Sequence, residues 1–135
     1  MDKRIKQMWV DALRSGEYHQ GKGALTNIKE DREEDCCLGV LCKLAIKDGL
    51  DIAVYPRASG GNHTFYDGAS ATLPPSVAKW AGIDEFGTLP ETVEVVPEED
   101  DQGPVMNSRV SALTMVNDAK DGTFEKIATI IEQYL

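Results

Sequence analysis

The apolar positions near the N-terminus recur at helical spacing. Ile5, Met8, Trp9, Ala12 and Leu13 fall at i, i+3, i+4, i+7 and i+8, which is one face of an α-helix. Asp2 stands where an N-cap belongs and Gly16 where the helix ends. Residues 17–34 then lose the pattern. They are polar and irregular, with Gly21 and Gly23 around Lys22, and only Ala24-Leu25-Thr26 reads as a short strand. From Cys36 to Ile46 the chain is apolar almost all round, which predicts a central, buried helix. Asp35 is its candidate N-cap, Lys43 and Lys47 lie toward its C-terminal end, and Gly49 stops it. A buried strand is the alternative for this run; its length, the two lysines and Gly49 favour the helix.

Residues 52–58 and 63–67 flank Gly60-Gly61-Asn62 and read as a β-hairpin, with Pro56 confining the first arm to a sheet edge. Leu73-Pro74-Pro75-Ser76 opens a short helix through Val77, Trp80 and Ala81 that Gly82 ends. Thr92 to Val96 reads as a third strand, stopped by Pro97, and Glu98 to Pro104 as a charged loop. Ser108 is placed to cap a helix carrying Val110, Leu113 and Val116, and Asn117 to Gly122 forms a turn. Thr123 caps a last helix striped by Phe124, Ile127, Ile131 and Tyr134, reinforced by Ala128 and Ile130. No internal repeat or linker interrupts the 135 residues. The expectation is one α+β domain, residues 1–135, with four to five helices around a small antiparallel sheet.

Charge changes this picture more than composition does. Lys plus Arg number 14 and Asp plus Glu 23, for a formal charge of −9. The excess is segregated. Residues 30–35 carry five acids and one base, and residues 91–101 carry Glu91, Glu94, Glu98, Glu99, Asp100 and Asp101 with no base. The rest of the chain holds 12 acids and 13 bases, close to neutral. So acidic a chain repels a phosphate backbone, which argues against direct nucleic-acid binding. No run of 18 apolar residues predicts a membrane span, and Met1-Asp2-Lys3-Arg4 leads into an amphipathic segment, not a secretory signal core. Cys36, Cys37 and Cys42 are odd in number and packed into one apolar stretch, which points to reduced thiols and a cytoplasmic setting.

The candidate chemistry is thin. A structural zinc site needs two close Cys or His pairs, and His19 and His63 form none with the cysteines. A helix start lowers a thiol pKa, but Glu33, Glu34 and Asp35 raise it again, so core packing is the better reading of the cysteines, and of Gly39 where another element crosses closely. Gly21-Lys22-Gly23 lacks the spacing of a nucleotide phosphate loop and leaves only a looser anion contact. His63 near Tyr66 and Asp67 matches an acid–base pair in type, with an exposed hairpin histidine as the plainer reading. Glu98 to Asp101 offers oxygen ligands for Ca²⁺ or Mg²⁺, without the spacing of a calcium loop. The acids at 30–35 are partly accounted for as neighbours of a helix start. The last two helices look like a helix–turn–helix, but Lys126 against Glu125 and Glu132 favours a packing unit over a DNA reader. No motif implies a cofactor.

Several blocks stand out as a set. They are Trp9 to Gly16 with Tyr18, Gln20-Gly21-Lys22-Gly23-Ala24-Leu25, Cys36 to Cys42, Leu73-Pro74-Pro75 with Val77 and Trp80, and Leu113, Asn117-Asp118, Phe124-Glu125, Ile127-Ala128 and Ile131-Glu132. With these blocks the chain resembles a group of small uncharacterised proteins of bacteriophages and bacterial prophage regions. The resemblance implies a phage-like origin and a bacterial host cytosol, and carries no activity. Residues 91–101 lie outside the blocks.

Three readings of function follow. The first is a non-enzymatic inhibitor or modulator that docks on a basic surface of a host protein, a nucleic-acid-binding or defence protein, through Glu91, Glu94, Glu98, Glu99, Asp100, Asp101, Glu33 and Glu34. The second is a binder of a small nucleotide-like molecule through Tyr18, Lys22, Arg57, Phe65 and Tyr66. The third is an enzyme built on a thiol or on His63.

Overall fold

The computed structural model describes residues 1–57, 60–95, 108–120 and 122–135. In order along the chain run α1 (Lys3–Arg14), β1 (Thr26–Lys29), β2 (Arg32–Asp35), α2 (Cys37–Lys47), β3 (Val54–Tyr55), β4 (Phe65–Tyr66), α3 (Pro75–Ala81), β5 (Thr88–Val95), β6 (Ser108–Ala112), α4 (Leu113–Asp118) and α5 (Phe124–Tyr134). The fold is α+β. Among the described residues the strands form three separate two-stranded antiparallel sheets, β1–β2, β3–β4 and β5–β6, in place of one small sheet.

Helix α2 is the centre of the core. Cys37, Leu38, Gly39, Val40, Leu41, Cys42, Leu44 and Ala45 are all buried, as an all-round apolar helix requires. α1 turns Ile5, Trp9, Val10 and Leu13 inward, and Asp2 Oδ1 accepts from the Ile5 amide at 3.0 Å to cap its start. Trp9 is fully buried, and its indole Nε1 donates to the Cys37 carbonyl at 2.9 Å, tying α1 to the start of α2. α5 lays Phe124, Ile127, Ala128, Ile130 and Ile131 against the core, and Arg14 reaches from α1 to Glu132 of α5 at 2.6 Å. α2 ends in a Schellman arrangement. Gly49 takes φ 99°, its amide bonds the Ile46 carbonyl at 3.1 Å, and the Leu50 amide bonds the Ala45 carbonyl at 3.0 Å.

The structure also differs from the sequence reading at the level of single elements: the first strand is Thr26–Lys29 and not 24–26, and Asn117 and Asp118 close α4 and do not open a turn. Asp35 does not cap α2; Cys36 does, its sulfur accepting from the Gly39 amide at 3.4 Å. Asp35 is the last residue of β2, where other groups engage its carboxylate, so the acids at 30–35 belong to a hairpin and not to the α2 dipole. Ser108 does not start a helix. Residues 108–112 are β6, and α4 begins at Leu113 behind Ala112, which offers no side-chain cap. The reason is two periods in one segment. Val110 and Ala112 are buried with Ser111 exposed between them, a strand pattern, while Leu113 and Val116 continue at helical spacing. β5 also starts earlier than the Thr92 expected, at Thr88, and reaches its register with β6 past an irregularity between Thr88 and Val93. Val96, Pro97 and the loop read at Glu98 to Pro104 lie outside the described residues.

Candidate functional site

The acidic run folds onto itself. β1 and β2 pair from Thr26↔Asp35 to Lys29↔Arg32, turning at Glu30-Asp31 with Glu30 at a positive φ of 54°. The strand alternates poorly because its inward positions are polar. Asp35 is 1% exposed, and its carboxylate accepts from the Thr26 hydroxyl at 2.6 Å and from Lys43 Nζ at 2.8 Å. Lys43 Nζ also bonds Glu33 at 2.7 Å, and Thr26 Oγ1 lies 2.8 Å from the Tyr66 hydroxyl. Glu34 is held by Arg32 at 2.6 Å and Lys29 at 3.1 Å. A buried charge needs this density of partners to be tolerated. Burial works against the charge on Lys43, but its bonds to Asp35 and Glu33 outweigh that and raise its pKa. The bonds from Arg32 and Lys29 lower that of Glu34, and burial pushes the Tyr66 phenol up to about 12.

Beside this network opens a groove of about 660 Å³, lined among others by Tyr18, His19, Arg32, Asp35, Lys43 and Arg57. Arg57, itself at a positive φ of 51°, donates to the Glu30 carbonyl at 3.0 Å and so closes one rim. The Tyr18 ring lies 5.7 Å from Lys47 Nζ and 6.0 Å from Lys43 Nζ.

A second polar hub is centred on Asn117, fully buried at the end of α4. Its Oδ1 accepts from the Cys37 amide at 3.1 Å and from Gln20 Nε2 at 3.2 Å, and its Nδ2 donates to the Gly21 carbonyl at 2.9 Å. Asp118 Oδ1 accepts from the Gly23 amide at 3.1 Å, and Lys22 Nζ donates to the Ala119 carbonyl at 2.7 Å. The segment Gln20 to Gly23 thus docks on Asn117-Asp118, and Gln20 Oε1 accepts from the Phe124 amide at 3.1 Å at the start of α5. Blocks far apart in sequence meet here, and they do structural work. Against the hub sits a small cleft of about 220 Å³, lined by Cys36, Thr72, Phe86, Thr114, Asn117 and Asp118 among others.

The three cysteines are free and buried. Burial, reinforced by nearby Asp118 and Asp35, pushes the Cys36 thiol up to about 11 against the pull of the Gly39 and Leu38 amides, and burial raises Cys37 and Cys42 further. These thiols are protonated at neutral pH, which fits the core reading and removes the thiolate a nucleophile needs. His19 and His63 are both exposed. Asp67 does not serve His63. Its carboxylate accepts from the Ala53 amide at 2.8 Å and from the Ser76 hydroxyl at 3.0 Å. Among the described residues no three His, Cys, Asp or Glu side chains group to hold a metal ion.

The residues proposed for a nucleotide-like ligand are divided. Tyr18 and Arg57 share the groove. Lys22 is bonded at the Asn117 hub, Phe65 is half-buried on β4, and Tyr66 is buried with its hydroxyl against Thr26. Of the partner-docking residues, Glu33 and Glu34 lie in the ion pairs of β2, and Glu91 is exposed on β5. Glu94 is placed by its backbone, opposite Arg109 on β6. Glu98, Glu99, Asp100 and Asp101, and with them the divalent-cation reading, lie outside the described residues. Phe86, Thr72 and Thr114 were not singled out from sequence, and Asp118 stood out only within the Asn117-Asp118 block, without a site role; the signal available was an aromatic between Asp84-Glu85 and Gly87, a turn that exposes what it carries. No helix among the described residues is long and apolar enough to cross a membrane.

No curated protein and no solved structure matches the chain. The profile of one family matches residues 1–135, and the chain belongs to that family, a domain of unknown function (DUF8296).

Proposed function

We propose that this is a non-enzymatic binding protein that docks through an acidic stretch on a basic surface of another protein. In the phage-like setting implied by the sequence blocks, that partner is a bacterial host protein that binds nucleic acid or serves in defence, and carboxylates stand in for phosphates. One observation carries the reading. Within residues 30–35, Glu33, Glu34 and Asp35 are paired inside the fold with Lys29, Arg32 and Lys43, whereas the sequence of residues 91–101 carries six acids and no base of its own. That stretch begins on β5, where Glu91 is exposed. The weight of docking therefore rests on Glu91, Glu94, Glu98, Glu99, Asp100 and Asp101, with Glu33 and Glu34 contributing field more than contact. The protonated thiols and the engaged Asp67 support a reading without covalent chemistry. The divided ligand set leaves the nucleotide-like reading with less support.

The test compares the immobilised wild-type protein with the variant E98Q/E99Q/D100N/D101N in a bacterial lysate at low and high salt. The wild type should retain a discrete set of basic proteins that salt releases, and the variant about tenfold less of them. Equal retention with the same salt dependence overturns the proposal.

A further inference from the structure

Phe86 is 45% exposed, and the turn that carries it is fixed. Asp84 Oδ1 accepts from the Phe86 amide at 3.0 Å and the Thr88 amide at 2.8 Å. Gly87 takes a left-handed φ of 65°, and its carbonyl accepts from the Leu113 amide at 3.0 Å. The ring is therefore held outward by the chain on both sides, at the root of the β5–β6 ribbon.

The 220 Å³ cleft beside it has a consistent chemistry. It is smaller than the roughly 300–1,000 Å³ of an ordinary small-molecule site and on the scale of one side chain. Among the described residues, Asp118 is the one charged group in its lining. Asp118 Oδ1 is fixed by the Gly23 amide and Asn117 Nδ2, both at 3.1 Å, while Oδ2 has no bond among the described residues. The hydroxyls of Thr72 and Thr114, both half-buried, have no bond among those residues either. Lys22 is drawn to the Ala119 carbonyl and does not line the cleft. Among the described residues, an aromatic ring, a fixed carboxylate with one unbonded oxygen and two unbonded hydroxyls, with no cation in the lining, ask for a flat cation rich in N–H donors.

We propose that this cleft receives one arginine side chain of the basic partner, its guanidinium stacked on Phe86 and bonded to Asp118. This rests on the docking reading and gives it a specific anchor. Guanidinium suits the site better than ammonium because it is planar, stacks on rings and offers N–H donors to carboxylate and hydroxyls at once.

The probes are hexaarginine, hexalysine and N-acetyl-arginine amide. Hexaarginine should bind the wild-type protein about two- to fivefold more tightly than hexalysine, the range expected of an exposed cation–π contact. F86A should bring that ratio to one, and D118N, which keeps the ring but removes the carboxylate, should lower it. E98Q/E99Q/D100N/D101N should weaken both peptides alike and keep the ratio, which separates failure of the docking reading from failure of the cleft. Titration of the wild type with N-acetyl-arginine amide should shift the backbone amide resonances of Phe86, Thr114 and Asp118, and it decides the cleft even where neither peptide binds. A ratio of one in the wild type, a ratio that survives F86A, or shifts produced by guanosine and not by the arginine amide overturns the proposal.

Discussion

A Cβ at position 39 would overlap the Leu25 carbonyl oxygen, which is itself fixed by the Cys36 amide at 3.0 Å. Gly39 is therefore the residue that lets the chain entering β1 lie across the first turn of α2. Two effects oppose each other in Gly39→Ala. Helix propensity favours alanine by about 1 kcal/mol. Overpacking against backbone that cannot rotate away costs up to about 3 kcal/mol. The second wins, so G39A should lose about 2 kcal/mol, read as a lower urea midpoint with an unchanged slope. A variant as stable as the wild type would mean that no such crossing exists. This glycine was legible in sequence, as a costly residue in a buried helix that only a close neighbour justifies. The cap beside it was not. Sulfur is a weak acceptor, so Asp35 is the better cap by residue type, and only its capture by Thr26 and Lys43 hands the role to Cys36.

At the scale of elements, the β1–β2 hairpin is held to α2 by the contact of Lys43 with Asp35. Asp35 is 1% exposed, so removing its cation leaves a buried charge uncompensated. Lys43→Met should cost about 3 kcal/mol. Asp35→Asn keeps an acceptor for Thr26 and removes the charge, so K43M/D35N should be clearly more stable than the two single losses added together. Urea denaturation of the four proteins gives the coupling; strict additivity would mean that the pair is not acting as one unit. The same hairpin shows where the sequence stops being readable. α1, α3 and α5 carry one apolar period each, opened by Asp2, Pro74-Pro75 and Thr123, and they lie where that pattern puts them. β1 and β2 have no apolar alternation because their inward side chains are Thr26, Glu34 and Asp35, satisfied by partners up to 40 residues away. β6 and α4 share one apolar run with two periods, and the helical one is the easier to see. The arginine cleft was illegible for a further reason: Cys36, Thr72, Phe86 and the α4 residues Thr114 and Asp118 come from four segments that only the tertiary fold assembles.

At the scale of the whole molecule, the three thiols couple the core to pH. Cys36 is 5% exposed and Cys37 and Cys42 are fully buried, so none ionises without leaving the core. Burial raises all three pKa values in the folded state, Cys36 to about 11. In the unfolded chain a thiol titrates near about 8.5. The folded pKa exceeds the unfolded one, so each thiol's contribution is intact below about pH 8.5 and is lost as pH rises toward the folded value. In that window the folded protein keeps three protons that the unfolded chain releases. The unfolding free energy then falls by about 1.4 kcal/mol per pH unit for each thiol, about 4 kcal/mol per unit for the three. Lys43, whose pKa is also raised, adds its loss only at higher pH still. Urea midpoints between pH 8 and 10.5 should therefore drop steeply once the unfolded thiols begin to ionise, and Cys42→Ala should reduce that slope by about a third whatever it does to stability at pH 7. A flat profile to pH 10.5 would show that the thiols reach water in the native state, and would return them to the list of candidate nucleophiles.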